Sequence, residues 1–287
     1  MAERATAAAR PGRGPGTPWI RAFGPPGPAA PVRLVCFPHA GGAAGYFRDW
    51  GEGTGAQVWA VQYPGRENRI REPFSSDLHA LADRAAEVLG GLLDRPTVFF
   101  GHSMGAVVGY EVLRRLAAED RDHAVRHLVV SGCGAPHRVR PFAGQEAAHL
   151  LSDDRLVALL RSLGADNTAL LDDPGMRSAF LPAVRDDYRI VQSYVPRTGG
   201  PVLRTDVTAF VGRQDEAVGV GDAGAWATVT RGRFALRTFP GGHFYPGEHP
   251  DEVLRAVREV LGPPVRGVHA APPAPDGTID TGRTDER

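Results

Sequence analysis

The chain has 287 residues, 42% of them hydrophobic, enough for one large domain or two small ones with a substantial core. Its 33 basic and 33 acidic residues cancel, so no global field draws it to nucleic acid or to an anionic membrane, and a charged partner has to be met by a local patch. No stretch approaches the roughly 20 apolar residues of a membrane span, and the N-terminal segment lacks the apolar run of a secretory signal.

Residues 1–17 are rich in Ala, Arg, Gly and Pro and read as a disordered leader, because they bury too little to offset chain entropy. Val32–Phe37 is the first predicted strand, and it runs into Pro38-His39-Ala40-Gly41-Gly42. Val58–Tyr63 is the second, closed by the turn Tyr63-Pro64-Gly65-Arg66. Arg66, Arg69 and Arg71 then follow closely, either as solvated loop charge or as an anchor for a phosphate or an acidic partner; Arg138 and Arg140 raise the same question. Ser76 is placed as the N-cap of a helix that carries Leu78, Leu81, Ala82, Ala85, Val88 and Leu92 on one face.

Thr97–Phe100 is a strand that runs directly into Gly101-His102-Ser103-Met104-Gly105. A G-x-S-x-G match arises by chance about 0.13 times in a chain with this many Ser and Gly, so context has to carry it. Here an apolar strand precedes it, and Ala106, Val107, Tyr110 and Leu113 follow at helical spacing. That is the strand–turn–helix setting in which a serine hydroxyl projects out of the fold.

His127–Val130 is the next strand, and none is expected again before Val207. The interval is too long for a simple crossover and reads as helices. Ser152 caps a helix from Asp153 to Leu163 that Gly164 ends, and Pro182 opens a second one carrying Val184, Tyr188 and Val191. An apolar helical insertion over residues 137–200 is the place for a lid above the serine. Val207–Val211 and Phe234–Phe239 complete the strands. Val253, Leu254, Val257 and Leu261 face one side of a final helix stopped by Gly262, and residues 263–287 read as a disordered tail. Short buried strands alternating with helices predict an α/β fold, a mostly parallel sheet with helices on both faces. Cys36 and Cys133 lie in strand-like runs and are expected to be buried thiols in a reducing, cytoplasmic setting.

A serine hydroxyl needs a base, and the base needs an orienting acid. His243, in Pro240-Gly241-Gly242-His243-Phe244 just past the last strand, is the expected base; His249 is its rival at the start of the final helix. Asp215 is the expected acid, immediately beyond the strand Val207–Val211, where groups gather at the carboxyl ends of an open α/β sheet. Asp206 lies at the wrong end of that strand, Asp222 lies further out, and Glu216 would point away. The oxyanion requires two backbone N–H donors, assigned to Met104 and Ala40. His39 is taken as structural. No clustered ligand pattern implies a metal or bound cofactor.

These residues together resemble the type II thioesterases that accompany modular polyketide synthases and nonribosomal peptide synthetases. The resemblance rests on Phe37-Pro38-His39-Ala40-Gly41-Gly42, Tyr63-Pro64-Gly65-Arg66 and Gly101-His102-Ser103-Met104-Gly105. It continues through the Leu151-Ser152-Asp153 insertion to Leu181-Pro182 and Tyr194, then Gly212-Arg213-Gln214-Asp215 and Gly241-Gly242-His243-Phe244. It covers residues 18–262 in order. It implies an α/β-hydrolase fold and a stand-alone enzyme that removes stalled or aberrant acyl groups from the phosphopantetheine arm of an acyl or peptidyl carrier protein. Phosphopantetheine then belongs to the substrate, and a monomer is the default expectation. By matching position Ser103 would be the nucleophile, His243 the base and Asp215 its orienter, with Ala40 and Met104 supplying the oxyanion amides. A general carboxylesterase, an acyltransferase on small soluble esters, and an inactive hydrolase-fold binding protein would share most of these residues.

Overall fold

The computed structural model describes residues 16–24, 30–138, 147–165, 168–199 and 202–262. Residues 1–15 of the predicted leader (1–17), Arg140 and the tail (263–287) lie outside the described residues.

Seven strands among the described residues form one sheet: β1 (Ile20–Phe23), β2 (Arg33–Phe37), β3 (Gln57–Val61), β4 (Thr97–His102), β5 (Val125–Ser131), β6 (Asp206–Gly212) and β7 (Phe234–Phe239). Their spatial order is β1-β3-β2-β4-β5-β6-β7. β1 pairs antiparallel with β3, and the other pairs are parallel. β1 has no counterpart among the predicted strands. It is four residues long and sits at the sheet edge with half-buried and exposed positions, so it carries no apolar run. The central strands behave otherwise: every residue of β2 and β4 is buried, as parallel strands covered on both faces require.

Eight α-helices among the described residues surround the sheet: α1 (Trp50–Thr54), α2 (Leu78–Gly90), α3 (Met104–Ala118), α4 (Asp153–Ser162), α5 (Pro174–Gln192), α6 (Val220–Gly224), α7 (Tyr245–Glu248) and α8 (Pro250–Leu261). Alternation along the strands sorts the core into two layers. Val35, Phe99 and Leu128 pack with Leu81 and Leu89 of α2 and Val107 and Leu113 of α3. Leu34, Phe100, Val129 and Phe210 pack on the opposite face with Phe47, Trp50, Val253 and Val257. A third cluster, Leu156, Val157, Leu160, Leu171, Leu181, Val184 and Tyr188, belongs to the insertion itself.

Three expectations need correcting. Ser76 is not the cap of α2: the Asp77 carboxylate accepts the Ala80 N–H at 2.8 Å, and Ser76 Oγ donates to Asp77 at 3.1 Å. A charged oxygen one residue later outcompetes the hydroxyl for the free amides of the first turn. Leu92 falls beyond the end of α2, in the turn that follows. Pro182 does not open a helix but lies inside α5. That helix starts earlier, where Asp173 accepts the Met176 N–H at 2.8 Å and Pro174 occupies the first turn. An interior proline costs about 3 kcal/mol in an isolated helix. Here the buried side chains Leu181, Ala183, Val184, Asp187, Tyr188 and Ile190 hold the helix through it. Ser152 does cap α4, accepting the Arg155 N–H at 3.4 Å, and Gly164 follows that helix with φ +77°.

Candidate active site

The turn after β4 places Ser103 at φ 53°, ψ −119°, a left-handed conformation rare for a residue with a Cβ. The neighbouring glycines make this bend sterically possible. A Cβ at Gly101 would sit 2.2 Å from Gly105 O, and one at Gly105 would sit 2.0 Å from Phe37 O. Strand, helix α3 and the end of β2 are therefore in backbone contact around the serine. Its own N–H donates to Ser131 O at 2.8 Å, which ties the bend to β5.

The structure brings the three expected side chains together. His243 Nε2 lies 3.0 Å from Ser103 Oγ, and His243 Nδ1 lies 2.9 Å from Asp215 Oδ2. The Asp215 side chain is fully buried, and its other oxygen accepts the N–H groups of Ala217 at 2.9 Å and Val218 at 3.1 Å. The rivals fall elsewhere. His249 occupies the N-cap position of α8 without a side-chain cap bond, Asp206 pairs with Arg233, and Glu216 is exposed.

Met104 opens α3, so its N–H has no partner within the helix. Among the described residues, neither that N–H nor the Ala40 N–H donates to a protein acceptor. Both lie in the turns expected to supply oxyanion donors. Pro38-His39-Ala40-Gly41-Gly42 leaves the carboxyl end of β2, next to β4.

Two further histidines surround His243. The His39 ring packs edge-on against Tyr46 and Phe244 with centroids 5.0 Å away in each case. Burial, reinforced by the nearby His243 and Arg66, lowers its pKa to about 3. His102 is fully buried 5.2 Å from His243, ring to ring, and burial again holds it well below the usual imidazole range. Its Nδ1 pairs with Ser131 Oγ at 2.9 Å, and that hydroxyl pairs with Tyr245 OH at 2.5 Å. Both rings are thus kept neutral at pH 7, and of the three imidazoles His243 is the one with a carboxylate against it. The support from His102, Ser131 and Tyr245 has no counterpart in the sequence reading; His102 and Ser131 are polar groups at the ends of apolar runs, and Tyr245 lies in a Gly- and Pro-rich loop with no such signal.

Arg66 and Arg69 are neither solvated nor available to an outside anion. Arg66 is buried against Asp187 of α5, and Arg69 against Glu72 and the Gln62 carbonyl. Arg71 and Arg138 remain exposed. Asp187 was also unanticipated, although an acid three residues after Val184 and four before Val191 stands on the apolar face of its helix.

A cavity of about 330 Å³ opens beside the loop 39–42; Ser103, Asp215 and His243 are not among its lining residues. His39, Ala40 and Phe244 form its inner wall, while Leu160, Phe180 and Val184 from the insertion form its outer wall. Cys36 and Cys133 are buried and unpaired; burial, with Asp215 nearby, pushes the Cys133 thiol up to about 12. No helix among the described residues is long and apolar enough to cross a membrane.

A mostly parallel seven-stranded sheet, with a serine on a sharp strand–helix turn and a histidine and an aspartate on later loops, is the α/β-hydrolase arrangement. Within that class the chain belongs to the thioesterase domain family, which matches residues 32–261. It is 39% identical, over 85% of its length and 66% of the relative's, to the Streptomyces griseus protein named "Probable cadicidin biosynthesis thioesterase". It is 36% identical to the thioesterase PikA5 of Streptomyces venezuelae, over 85% of each chain. The solved structure of BorB, a type II thioesterase from the borrelidin biosynthetic cluster, superposes with a TM-score of 0.76 at 40% identity, covering 85% of this chain and 97% of BorB. The protein is a thioesterase, a hydrolase acting on thioester bonds.

Proposed function

We propose that this thioesterase acts in trans on carrier proteins, cleaving stalled or aberrant acyl groups from their phosphopantetheine arms during polyketide or nonribosomal peptide synthesis. The observation that carries the reading is the relay from Asp215 through His243 to Ser103, with a largely apolar cavity walled in part by Ala40 and by Phe244, the residue after His243. The names and pathways of the relatives supply the substrate class.

In the first half-reaction Ser103 Oγ attacks the thioester carbonyl while His243 Nε2 takes its proton. Asp215 holds the ring in the tautomer with Nε2 free and stabilises the imidazolium that forms. The tetrahedral oxyanion is bound by the N–H groups of Ala40 and Met104. Collapse breaks the C–S bond, His243 returns the proton to the departing pantetheine thiol, and an acyl-serine remains. In the second half-reaction water gives a proton to His243 and attacks the acyl carbon; collapse then frees the carboxylic acid and restores the Ser103 hydroxyl. All protons are exchanged with His243, so no resident metal or cofactor is required. The phosphopantetheine arrives with the substrate.

The helices α4 and α5 act as a lid, with the acyl chain lying in the cavity that Leu160, Phe180 and Val184 line together with Ala40 and Phe244. The partner is an acyl or peptidyl carrier domain, the enzyme works as a monomer, and its setting is the cytoplasm.

The test is intact-mass deacylation of an acyl-phosphopantetheinyl carrier protein beside the same acyl group on a short free thioester. Release from the carrier faster by an order of magnitude or more supports the proposal. Equal or slower release, with brisk hydrolysis of small esters, replaces it by a general esterase, and transfer of the acyl group to an added alcohol or amine replaces it by an acyltransferase. Failure of a fluorophosphonate probe to label Ser103 would leave an inactive binding protein.

A further inference from the structure

The turn Tyr63-Pro64-Gly65-Arg66 takes no part in the chemistry above, yet it carries a dense set of buried polar contacts. Arg66 donates from Nη1 to Asp187 Oδ2 at 2.5 Å and from Nη2 to Asp187 Oδ1 at 2.8 Å. The two side chains are only 8% and 2% exposed, and they meet from β3's end and from α5, across 121 residues of chain. The pair does more than hold α5 down. Asp187 Oδ2 also accepts the Gly41 N–H at 2.7 Å, and Arg66 Nη1 also donates to Gly42 O at 3.1 Å. Tyr63 OH donates to Pro38 O at 3.2 Å, and Gln62 Oε1 accepts the Ala44 N–H at 2.9 Å.

These contacts bracket one peptide unit. The N–H of Ala40 and the carbonyl of His39 belong to the same planar amide and point in opposite directions. That carbonyl accepts the Gly42 N–H at 2.9 Å, so the place of Gly42 sets the aim of the Ala40 N–H. Gly42 is held in turn by Arg66, and the amide on the other side of Ala40 is held by Asp187. The loop has little stiffness of its own: Gly41 is at φ +75°, and a Cβ there would sit 2.6 Å from Val184 Cγ2 of α5. A Gly-Gly loop has many conformations to lose, and order has to be imposed from outside.

We propose that Arg66 and Asp187 are positioning residues for catalysis, aiming the Ala40 N–H at the reacting carbonyl oxygen, so that α5 holds one half of the oxyanion hole in place. The inference rests on the reading of Ala40 as an oxyanion donor. It predicts that the pair matters more to the transition state than to the bound substrate, because the amide meets full negative charge only in the tetrahedral intermediate.

The test uses the full chain as wild type, as Asp187→Asn, and as the doubly neutral Arg66→Met/Asp187→Leu. The double variant avoids a stranded buried charge and so separates folding from alignment. Each is measured for Tm, for kcat and KM on an acyl carrier protein, and for binding of two analogues. One is a trifluoromethyl ketone, which forms a tetrahedral adduct on serine; the other is a non-hydrolysable acyl amide, which mimics only the ground state. We expect kcat to fall about 10- to 100-fold in Asp187→Asn with KM within about twofold, and the ketone affinity to fall in parallel while amide binding holds. The double variant should regain Tm without regaining kcat. A kcat that recovers together with Tm, or amide and ketone binding lost equally, would show a fastener of the insertion and nothing more, and would overturn the proposal. Wild-type turnover that persists in Ser103→Ala would overturn the active-site reading, and this inference with it; that result is seen before any Arg66 or Asp187 variant is compared.

Discussion

The two turns that flank Ser103 are shaped by opposite means. The turn after β4 is fixed locally: Gly101, Ser103 and Gly105 are within five residues, and their backbone atoms are in contact with each other and with Phe37. The turn after β2 is fixed remotely, by side chains of Gln62, Tyr63, Arg66 and Asp187 that reach it from another strand and from the insertion. A local constraint fails by steric clash when a single atom is added. A remote one fails by degrees, as hydrogen bonds are removed. The two amides assigned to the oxyanion, Met104 and Ala40, should therefore respond differently to mutation.

The largest effect is expected at the serine that both turns serve. Ser103→Ala removes the proposed nucleophile and should lower turnover of an acyl carrier protein by about 10⁴-fold or more. Its Tm should be unchanged or slightly raised, because alanine at φ 53° is no worse than serine. Intact-mass assay of acyl release and a thermal melt check both parts.

Next comes the local turn. Gly105→Ala would place a Cβ 2.0 Å from Phe37 O and 2.6 Å from Pro38 O, both backbone atoms at the centre of the sheet. Neither can rotate away, so β2 and α3 must part. The expected cost is about 3 kcal/mol or more of stability, with activity lost as the serine shifts. Gly42→Ala, in the remote turn, meets the His39 ring and carbonyl at 3.0 Å and should cost far less. Urea unfolding of the two variants tests the comparison directly. Equal destabilisation would mean that the turn after β4 is no more tightly built than the turn after β2.

Smaller still is Tyr63→Phe, which deletes the hydroxyl that donates to Pro38 O but keeps the buried ring. One neutral hydrogen bond is worth about 1 kcal/mol. We expect a loss of that size in stability and a fall in kcat of about tenfold or less, with KM little changed. A fall as large as that from Asp187→Asn would mean that the loop behaves as one cooperative unit.

The same contrast explains what could be read in the sequence. The turn at Ser103, Asp215 and His243 are legible because each follows closely on a strand, in a short motif whose neighbours reveal its setting; β4 and β6 are buried runs, whereas β7 before His243 is largely exposed. Asp187 is not legible. It meets Arg66 across 121 residues, and nothing near either residue names the other. The choice between solvent and an external anion for Arg66 omitted the outcome found, a carboxylate from the chain's own insertion. Boundaries suffered from competing signals of the same kind. Ser76 stands beside the better acceptor Asp77, and Pro182 follows Pro174, whose preceding Asp173 carries the cap. β1 has no counterpart in the sequence reading because its partner is a distant strand (Ile20 pairs with Val61) and its own residues are mixed.

The last effect concerns pH; it nearly vanishes at pH 7, grows as pH falls, and again belongs to the remote turn. His39 is half-buried among Tyr46, His102 and Phe244 with its Nδ1 enclosed, and desolvation takes its pKa to about 3 from an ordinary value near 6.5. Between those limits the unfolded chain binds a proton at this position and the folded chain does not. Stability therefore rises with pH in that window and declines as pH falls from about 6.5 toward 3. The slope due to one such group is at most about 1.4 kcal/mol per pH unit. His39→Phe keeps an aromatic ring between Tyr46 and Phe244 and carries no titrating group. Urea midpoints at pH 7 should be close to wild type, and those at pH 5 should exceed it by an amount equivalent to about 1–2 kcal/mol. Part of the acid sensitivity should remain, because His102 is held neutral by the same burial on the other side of His243. Parallel midpoints for the variant and wild type across this range would mean that the folded protein accepts a proton on His39 without penalty, and that the loop opens more easily than its hydrogen bonds imply.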